Sequence, residues 1–183
     1  MIRGEKVGLR ARTEADVPIL HTELYEDVAT AVRADGRAWR PLAVTASPFA
    51  IGQESDTTAA FSVVELASGE LAGEASLWGV DLYNRSAHLG LALRPGFRGR
   101  GLATDAVRVL SYYGFAIRGL HRLQVETLAD NDPMRRAAER CGYVLEGTRR
   151  QASWVSGDFL DEVFLGLLAP EWSSAQKITP GSA

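Results

Sequence analysis

The stretch Leu89-Gly-Leu-Ala-Leu-Arg-Pro-Gly-Phe-Arg-Gly-Arg-Gly-Leu-Ala103 decides how the rest of this chain is interpreted. Its apolar first half predicts a strand, and a turn with Gly96, Gly99 and Gly101 follows at once. Directly after the turn, helical spacing of apolar residues predicts an amphipathic helix over 102–118. Glycines let the main chain approach a ligand closely, and the unpaired N–H groups of a first helical turn attract anions. A strand, a bare loop and a helix N-terminus in this order predict a phosphate or pyrophosphate site.

The sequence of this turn does not match either of two common phosphate-binding loops. The turn contains no Gly-Lys-Ser or Gly-Lys-Thr, so it lacks the lysine and the magnesium-binding hydroxyl of an NTPase P-loop. The dinucleotide fingerprint needs three glycines at its own spacing, whereas Leu102 and Ala103 follow Gly101 here. The sequence therefore argues against a nucleotide-phosphate binder of either type.

Four segments in order carry a resemblance to a known family. Residues 98–103 read Arg-x-x-Gly-x-Ala and resemble the acyl-CoA pyrophosphate loop of the GNAT superfamily of N-acetyltransferases. Residues 120–131 are similar to the family's next strand and its terminal asparagine, and Gly-Tyr-Val-Leu-Glu-Gly within 141–147 is similar to the turn after the next helix. Residues 161–172 resemble the final strand with its Glu-Trp ending. The combination is most similar to the branch of the ribosomal-protein N-terminal acetyltransferases, and residues 30–60 carry no match.

Composition predicts one ordinary globular domain. The 183 residues are 46% apolar and 23% charged, with a formal net charge of -3, so no basic field indicates nucleic acid as a partner. No apolar run spans a membrane and no leader pattern is seen at the N-terminus, so we expect a cytoplasmic protein. The single cysteine, Cys141, is expected to be a core residue and not an acyl-carrying nucleophile. We expect an acetyltransferase domain over 1–172 and a flexible polar tail over 173–183.

Periodicity and turn signals predict an α/β fold. Thr13 and Asp16 form a capping-box-like start for the first helix. The resemblance implies that the sheet is mixed, mostly antiparallel and splayed in the middle, with helices on both faces. The predicted strands are 7–12, 60–66, 70–78, 88–93, 121–129, 143–152 and 159–168, and the predicted helices are 14–25, 27–34, 102–118 and 132–141.

The resemblance also implies a binding site for acetyl-CoA as co-substrate, and no metal. The pantetheine arm would lie in the split between the strands at 88–93 and 121–129. Main-chain groups of Leu91 and Leu93 would pair with its amides, and Asn131 would face the pantetheine or the thiol end. The pyrophosphate would bind the loop residues Arg98, Gly99, Arg100, Gly101, Leu102, Ala103 and Thr104.

The reaction that the resemblance implies is direct acyl transfer to a primary amine. An amine at neutral pH is mostly protonated, so the site needs a proton acceptor. Glu126 on a lining strand is one candidate, acting directly or through a water, and Glu74 on the earlier strand is another. His88 titrates in a suitable range. For each of them a solvated or packed strand residue is the ordinary alternative.

One departure from the family pattern keeps two functions open. Many relatives in this branch carry Ser three residues after the asparagine that corresponds to Asn131, and other members carry Tyr seven residues after it. In the family these hydroxyls can give a proton to the leaving thiolate. Met134 and Ala138 stand there in this chain, and neither donates a proton. Tyr143 and Tyr112 would substitute only if the fold brought them close. The hypotheses are therefore an active N-acetyltransferase and a non-catalytic acyl-CoA-binding sensor or partner domain.

The amine acceptor is less well specified. A peptide N-terminus, a polyamine, an aminoglycoside or an antibiotic precursor would all suit the residues, and the branch resemblance favours a peptide N-terminus. Trp39 and Trp154 lie in polar stretches and are candidates for lining the acceptor pocket. The resemblance also implies a homodimer, for which no stripe in the sequence gives independent support.

Overall fold

Eight strands form one open sheet. The computed structural model describes residues 1–34, 38–53 and 55–172, so the predicted tail over 173–183 lies outside the described residues. The strands are β1 (Ile2–Arg3), β2 (Val7–Arg10), β3 (Ala59–Glu65), β4 (Leu71–Asp81), β5 (Ser86–Leu93), β6 (Arg122–Leu128), β7 (Val144–Val155) and β8 (Asp158–Leu168). They are arranged in the order β1-β2-β3-β4-β5-β6-β8-β7. Neighbours are antiparallel except β5 and β6, which are parallel, so the prediction of a mixed and mostly antiparallel sheet is confirmed.

Four α-helices connect the strands. They are α1 (Asp16–Leu20), α2 (Val28–Ala34), α3 (Leu102–Tyr112) and α4 (Asp132–Arg140). Two of them continue as π-helical turns, α1 through His21–Tyr25 and α3 through Tyr113–Ile117, so both helical segments reach close to their predicted ends. No helix in the described ranges has the length and apolarity needed to cross a membrane.

The helices cover both faces of the sheet, as predicted. Leu91 and Leu93 of β5 pack against the main core, which includes Leu110 of α3. Ala92 between them packs against a smaller cluster with Leu20 of α1 and its neighbour Leu24. Because successive strand residues point to opposite faces, α3 and α1 lie on opposite sides of β5. The face that carries α1 is called the α1 face below.

The predicted start of the first helix is only half correct. Thr13 provides no side-chain cap, and the helix begins at Asp16 after Ala15. The Asp16 carboxylate does accept the Thr13 N–H at 2.8 Å, as in a capping box, but it also binds the sheet. It accepts two hydrogen bonds from the Arg10 guanidinium, at 2.6 and 2.8 Å, and one from Ser62 Oγ at 2.9 Å. Asp16 therefore joins α1 to β2 and β3.

The buried Asp16 carboxylate gives a testable pH dependence. Burial raises its pKa, but the hydrogen bonds from Arg10, Thr13 and Ser62 lower it further, so the net shift is downward. A lowered pKa in the folded state adds stability above the ordinary value of about 4 and loses it as the pH falls below that value. We expect Asp16→Asn to cost about 3 kcal/mol at pH 7, because it leaves Arg10 without its charged partner. Denaturant titrations at pH 7 and pH 3 should show a smaller loss of stability with pH in Asp16→Asn than in the wild type or the exposed control Asp158→Asn. Equal losses in all three proteins would contradict this account.

Candidate active site

Strands β5 and β6 pair at one end only. Their register joins residues 86–88 to residues 122–124 and stops there. Residues 89–93 continue to pair with β4, and residues 125–128 continue to pair with β8. The two strands therefore diverge and leave a V-shaped opening in the middle of the sheet. This confirms the predicted splay, and it places the apex of the opening at the last parallel pair, His88 and Gln124.

Main-chain groups of β5 face into this opening. The Arg94 N–H donates to the Ala72 carbonyl at 2.9 Å, which turns the main chain of Arg94 toward β4. Hydrogen bonds alternate along an antiparallel pair, so the main-chain groups of Leu91 and Leu93 turn the other way, toward the opening. The Leu93 carbonyl accepts a hydrogen bond from Arg98 Nε at 3.0 Å. An extended ligand that carries amides could complete the ladder of this strand.

The glycine loop lies at the wide end of the opening, between β5 and α3. Gly99 and Gly101 have φ values of 74° and 78°, a region that favours glycine. Gly101 is the N-cap of α3, and no side chain caps the first turn. The N–H groups of residues 102–104 belong to that first turn, where no intrahelical acceptor exists, and the helix dipole favours an anion in front of them. The loop therefore has the donors that a pyrophosphate requires.

The two predicted arginines of the loop have different surroundings. Arg100 forms an ion pair with the buried Glu65 at 2.8 Å and lies over the Phe97 ring at 5.4 Å. Arg98 is exposed, and within the described ranges its guanidinium has no carboxylate in ion-pair distance. The guanidinium that is available to an incoming anion is therefore that of Arg98.

A cluster of polar side chains occupies the apex of the opening. His88 Nδ1 and Glu126 Oε1 are 2.8 Å apart, so the structure brings together two of the three predicted catalytic candidates. The amide of Gln124 donates to Glu126 Oε1 at 3.3 Å and lies 3.1 Å from the ring nitrogens of His88. His88 shares the side-chain alternation of Ala92, which places the cluster on the α1 face.

The surroundings of the His88 ring disfavour its protonation. The ring stacks on Trp78 at a centroid distance of 4.0 Å and an angle of 22°. Gly79 leaves room for it, because a Cβ there would lie 3.2 Å from the ring. Burial lowers the pKa of His88 below its ordinary value; the Glu126 carboxylate opposes this shift and Arg122 adds to it. A pKa lowered in this way favours the neutral imidazole, the form that can accept a proton.

The third candidate, Glu74, lies elsewhere on the same face. It stands opposite Ala92, four residues along β5 from His88, which is about 13 Å in an extended strand. Burial raises the pKa of Glu74, and Arg12 at 3.5 Å opposes the shift. Arg12 is itself buried and donates to the carbonyls of Phe49 and Phe61. The contacts of Glu74 are therefore those of a buried ion pair beneath α1.

Asn131 is engaged as the cap of α4. Its Oδ1 accepts the Met134 N–H at 3.4 Å, and its Nδ2 donates to Thr127 Oγ1 at 2.9 Å. Met134 packs against the main core and Ala138 is buried in it. The two positions at which the family resemblance led us to expect a hydroxyl are therefore occupied by apolar side chains in apolar surroundings.

Neither Tyr143 nor Cys141 is free to react. Tyr143 is buried, and its hydroxyl is 2.9 Å from Ser111 Oγ, which in turn donates to the Val107 carbonyl. Cys141 is 2% exposed, its thiol donates to the Thr104 carbonyl at 3.3 Å, and burial raises its pKa to about 11. The prediction that Cys141 is a core residue is confirmed.

Sequence reasoning did not single out Gln124, Trp78 as a partner of His88, or Arg149. Arg149 Nη2 lies 3.8 Å from Glu126 Oε2. The sequence did contain one indication for Gln124. It precedes Glu126 by two residues, and residues two apart in a strand lie on the same face of the sheet. The other two contacts join different strands and depend on register, which a single sequence does not supply. Of the two tryptophans proposed for the acceptor pocket, Trp39 donates to the Tyr25 carbonyl and Trp154 is 62% exposed.

Comparison with known proteins decides the family. A family model described as the acetyltransferase (GNAT) domain matches residues 6–144. The chain belongs to the GNAT acetyltransferase family. The matched region contains the opening, the glycine loop and the apex cluster, whereas most of the β7–β8 hairpin lies beyond it.

Curated relatives of this GNAT chain match it over part of their length. The protein YdaF of Bacillus subtilis (strain 168), described as a candidate ribosomal N-acetyltransferase, is 36% identical over 107 residues, 58% of each chain. The spermidine N(1)-acetyltransferase of Escherichia coli (strain K12) is 26% identical over 113 residues, which cover 62% of this chain and 60% of the relative. The chain thus spans about three fifths of the length of these relatives.

Solved structures share the whole fold. The spermidine N-acetyltransferase of Vibrio cholerae, determined in complex with CoA and spermine, has a TM-score of 0.75 at 19% identity. The alignment covers 92% of this chain and 98% of that one. At this level of identity the similarity shows that the two chains have the same fold.

Proposed function

We propose that this GNAT protein transfers an acetyl group from acetyl-CoA to a primary amine, with the V-shaped opening as its site. The observation that carries the proposal is the opening itself. It has anion donors at the wide end, main-chain groups facing into it, and a histidine 2.8 Å from a carboxylate at the apex. Together these match the three parts of an acyl-CoA thioester: the pyrophosphate, the pantetheine amides and the reacting carbonyl.

The residues of this chain fit the co-substrate. The N–H groups of 99–104 and the Arg98 guanidinium would hold the pyrophosphate, whereas the main-chain N–H of Arg98 donates to the Pro95 carbonyl at 3.3 Å. Main-chain groups of Leu91 and Leu93 would pair with the pantetheine amides. Asn131 would border the arm from its position as the α4 cap. When bound, acetyl-CoA supplies the activated carbonyl that an amine attacks.

We assign the proton transfer to His88 and Glu126. Because His88 Nδ1 faces the Glu126 carboxylate, we assign the ring proton to Nδ1. Nε2 lies 3.1 Å from the Gln124 amide and would exchange that contact for the proton of the attacking amine. Glu126 fixes the ring orientation and stabilises the imidazolium that forms. Glu74, held by Arg12, is assigned a structural role.

The absence of a hydroxyl at Met134 and Ala138 does not contradict activity. A thiol has a pKa of about 8.5, so a thiolate leaves readily and needs little protonation. The small need for a proton donor favours an active enzyme. The alternative that Met134 and Ala138 suggest is a non-catalytic acyl-CoA-binding sensor.

We propose a cationic or N-terminal amine as acceptor, in line with the names of the spermidine and ribosomal relatives. A peptide N-terminus and a small-molecule amine are both compatible with the exposed side of the apex at Trp78. We also propose a cytoplasmic homodimer, as the branch resemblance implies, to be checked by sedimentation of the purified chain.

Turnover on a panel of amines tests the proposed function. The wild type is incubated with acetyl-CoA and, separately, with ribosomal-protein N-terminal peptides, polyamines and aminoglycosides, and free thiol is followed. We expect thiol release that depends on one class of amine, with the acetylated product seen by mass spectrometry. CoA binding without release across the whole panel would instead support the sensor.

A further inference from the structure

We propose that Arg149 on β7 is a positioning residue for the reaction, holding Glu126 in the orientation that faces His88. The inference rests on the proposed function, because it assigns a partner to the acid–base pair at the apex. Arg149 lies two strands away from β6 in the sheet, and beyond the region that the family model matches.

The two oxygens of Glu126 have separate partners. Oε1 contacts His88 Nδ1 at 2.8 Å and accepts from the Gln124 amide. Oε2 lies 3.8 Å from Arg149 Nη2. A carboxylate with a different cationic or donor partner on each oxygen has one preferred rotation about its terminal torsion, whereas without Arg149 the group is held from one side only. Arg149 therefore restricts the rotation of the carboxylate.

Arg149 is itself fixed in place. The same Nη2 forms an ion pair with Glu162 of β8, which faces it directly across the strand pair. The guanidinium also lies over the Phe164 ring, 4.7 Å from its centroid, and Phe164 pairs with Glu126 in the register of β6 and β8. Although the side chain is about half exposed, these two contacts aim it at Glu126.

A bulge in β7 provides Glu162 with a second partner. The pairing of β7 and β8 shifts between Arg149 and Ser153, and Ser153 Oγ donates to Glu162 Oε1. Burial raises the pKa of Glu162, but the hydrogen bonds from Ser153 and Arg149 lower it further, so it stays ionised. Bulges next to active sites commonly redirect side chains. This one lets residues from both of its ends bind one carboxylate.

The charges around His88 determine the sign of the expected effect. Glu126 faces the ring directly, and Trp78 and Gln124 are uncharged. Arg122 also acts on the ring, but its guanidinium is paired with Glu146. Removing the positive charge of Arg149 leaves the negative charge of the Glu126 carboxylate less compensated, so the protonated form of His88 becomes more favourable.

The test compares Arg149→Gln with Arg149→Lys and with Arg150→Gln, a neighbour whose side chain makes no ion pair in the described residues. The full chain contains 3 histidines, so the ring signal of His88 is assigned by NMR with His88→Gln and titrated directly. We expect Arg149→Gln to raise the pKa of His88 and to lower kcat about 10-fold with KM for acetyl-CoA unchanged. Arg149→Lys should restore most of the wild-type kcat and bring the pKa of His88 most of the way back to its wild-type value. Arg150→Gln should change neither quantity.

Each result decides between a positioning and a structural role. A pKa of His88 that is the same in Arg149→Gln as in the wild type would overturn the proposal, even if kcat falls through loss of stability. A combined Glu126→Gln/Arg149→Gln variant should lose little more activity than Glu126→Gln alone; additive losses would also contradict it. Because the NMR titration needs no turnover, a wild type without acetyl transfer would reject the proposed function and still leave the coupling of Arg149 to His88 measurable.

Discussion

Replacing His88 by glutamine is expected to lower kcat for acetyl transfer by about 100- to 1,000-fold, the usual contribution of a general base. Glutamine keeps a hydrogen-bonding side chain between Trp78 and Glu126 but offers no lone pair that accepts a proton at neutral pH. The Kd for acetyl-CoA should change by no more than about twofold, because the ring lies at the apex and not at the loop that would bind the pyrophosphate. Steady-state kinetics and calorimetric titration measure the two quantities separately.

His121→Gln is the matched control, since His121 is exposed and its recorded hydrogen bonds are made by the main chain. It should retain wild-type kcat. If His88→Gln also retained it, the assignment of the proton acceptor would be wrong and Glu126 would have to act directly or through a water.

A proline at Ala103 is expected to weaken acetyl-CoA binding about 10- to 100-fold, the loss expected for a hydrogen bond to a charged group. Ala103 is the second residue of α3, and its N–H has no intrahelical acceptor. Proline is compatible with the first turn of a helix, and Pro133 already occupies the second position of α4 in this chain. The substitution therefore removes one anion donor while leaving the helix in place.

Ala29→Pro gives the same change at the second position of α2, a helix that does not follow the glycine loop. Calorimetric titration of both variants with acetyl-CoA should show weakened binding in Ala103→Pro alone, with similar thermal midpoints for the two unliganded proteins. Equal affinity in Ala103→Pro and the wild type would show that the first turn of α3 does not hold the ligand.

The fold was largely predictable because its signals are local. The alternation before Arg94, the glycines at 96–101 and the apolar stripe of α3 each act within a few residues, and the family resemblance supplied the topology. The two residues of β1 and the exact start of α1 were not predicted, because Asp16 serves the sheet as well as the helix. That role depends on Arg10 and Ser62, which approach only after folding.

Most individual residues of the site could be predicted from the sequence, but the contacts between them could not. The loop and the lining strands could be located from sequence, and Glu126 and His88 could be proposed one at a time. Their 2.8 Å contact follows from the parallel register that ends at His88 and Gln124, which no local pattern specifies. The separation of Glu74 from that pair, and the reach of Arg149 across β8, likewise depend on strand pairing.

The central claim is that the opening between β5 and β6 binds acetyl-CoA, and a thermal-shift assay with acetyl-CoA, CoA, ATP and NAD in parallel tests it most directly. A ligand at one hundred times its Kd adds about 2.7 kcal/mol of stability, which raises the midpoint of a chain of this size by roughly 5 °C or more. We predict that acetyl-CoA and CoA raise the midpoint of the wild type and raise that of Ala103→Pro less, while ATP and NAD have no effect. Stabilisation by ATP or NAD instead, or by none of the four, would contradict the account.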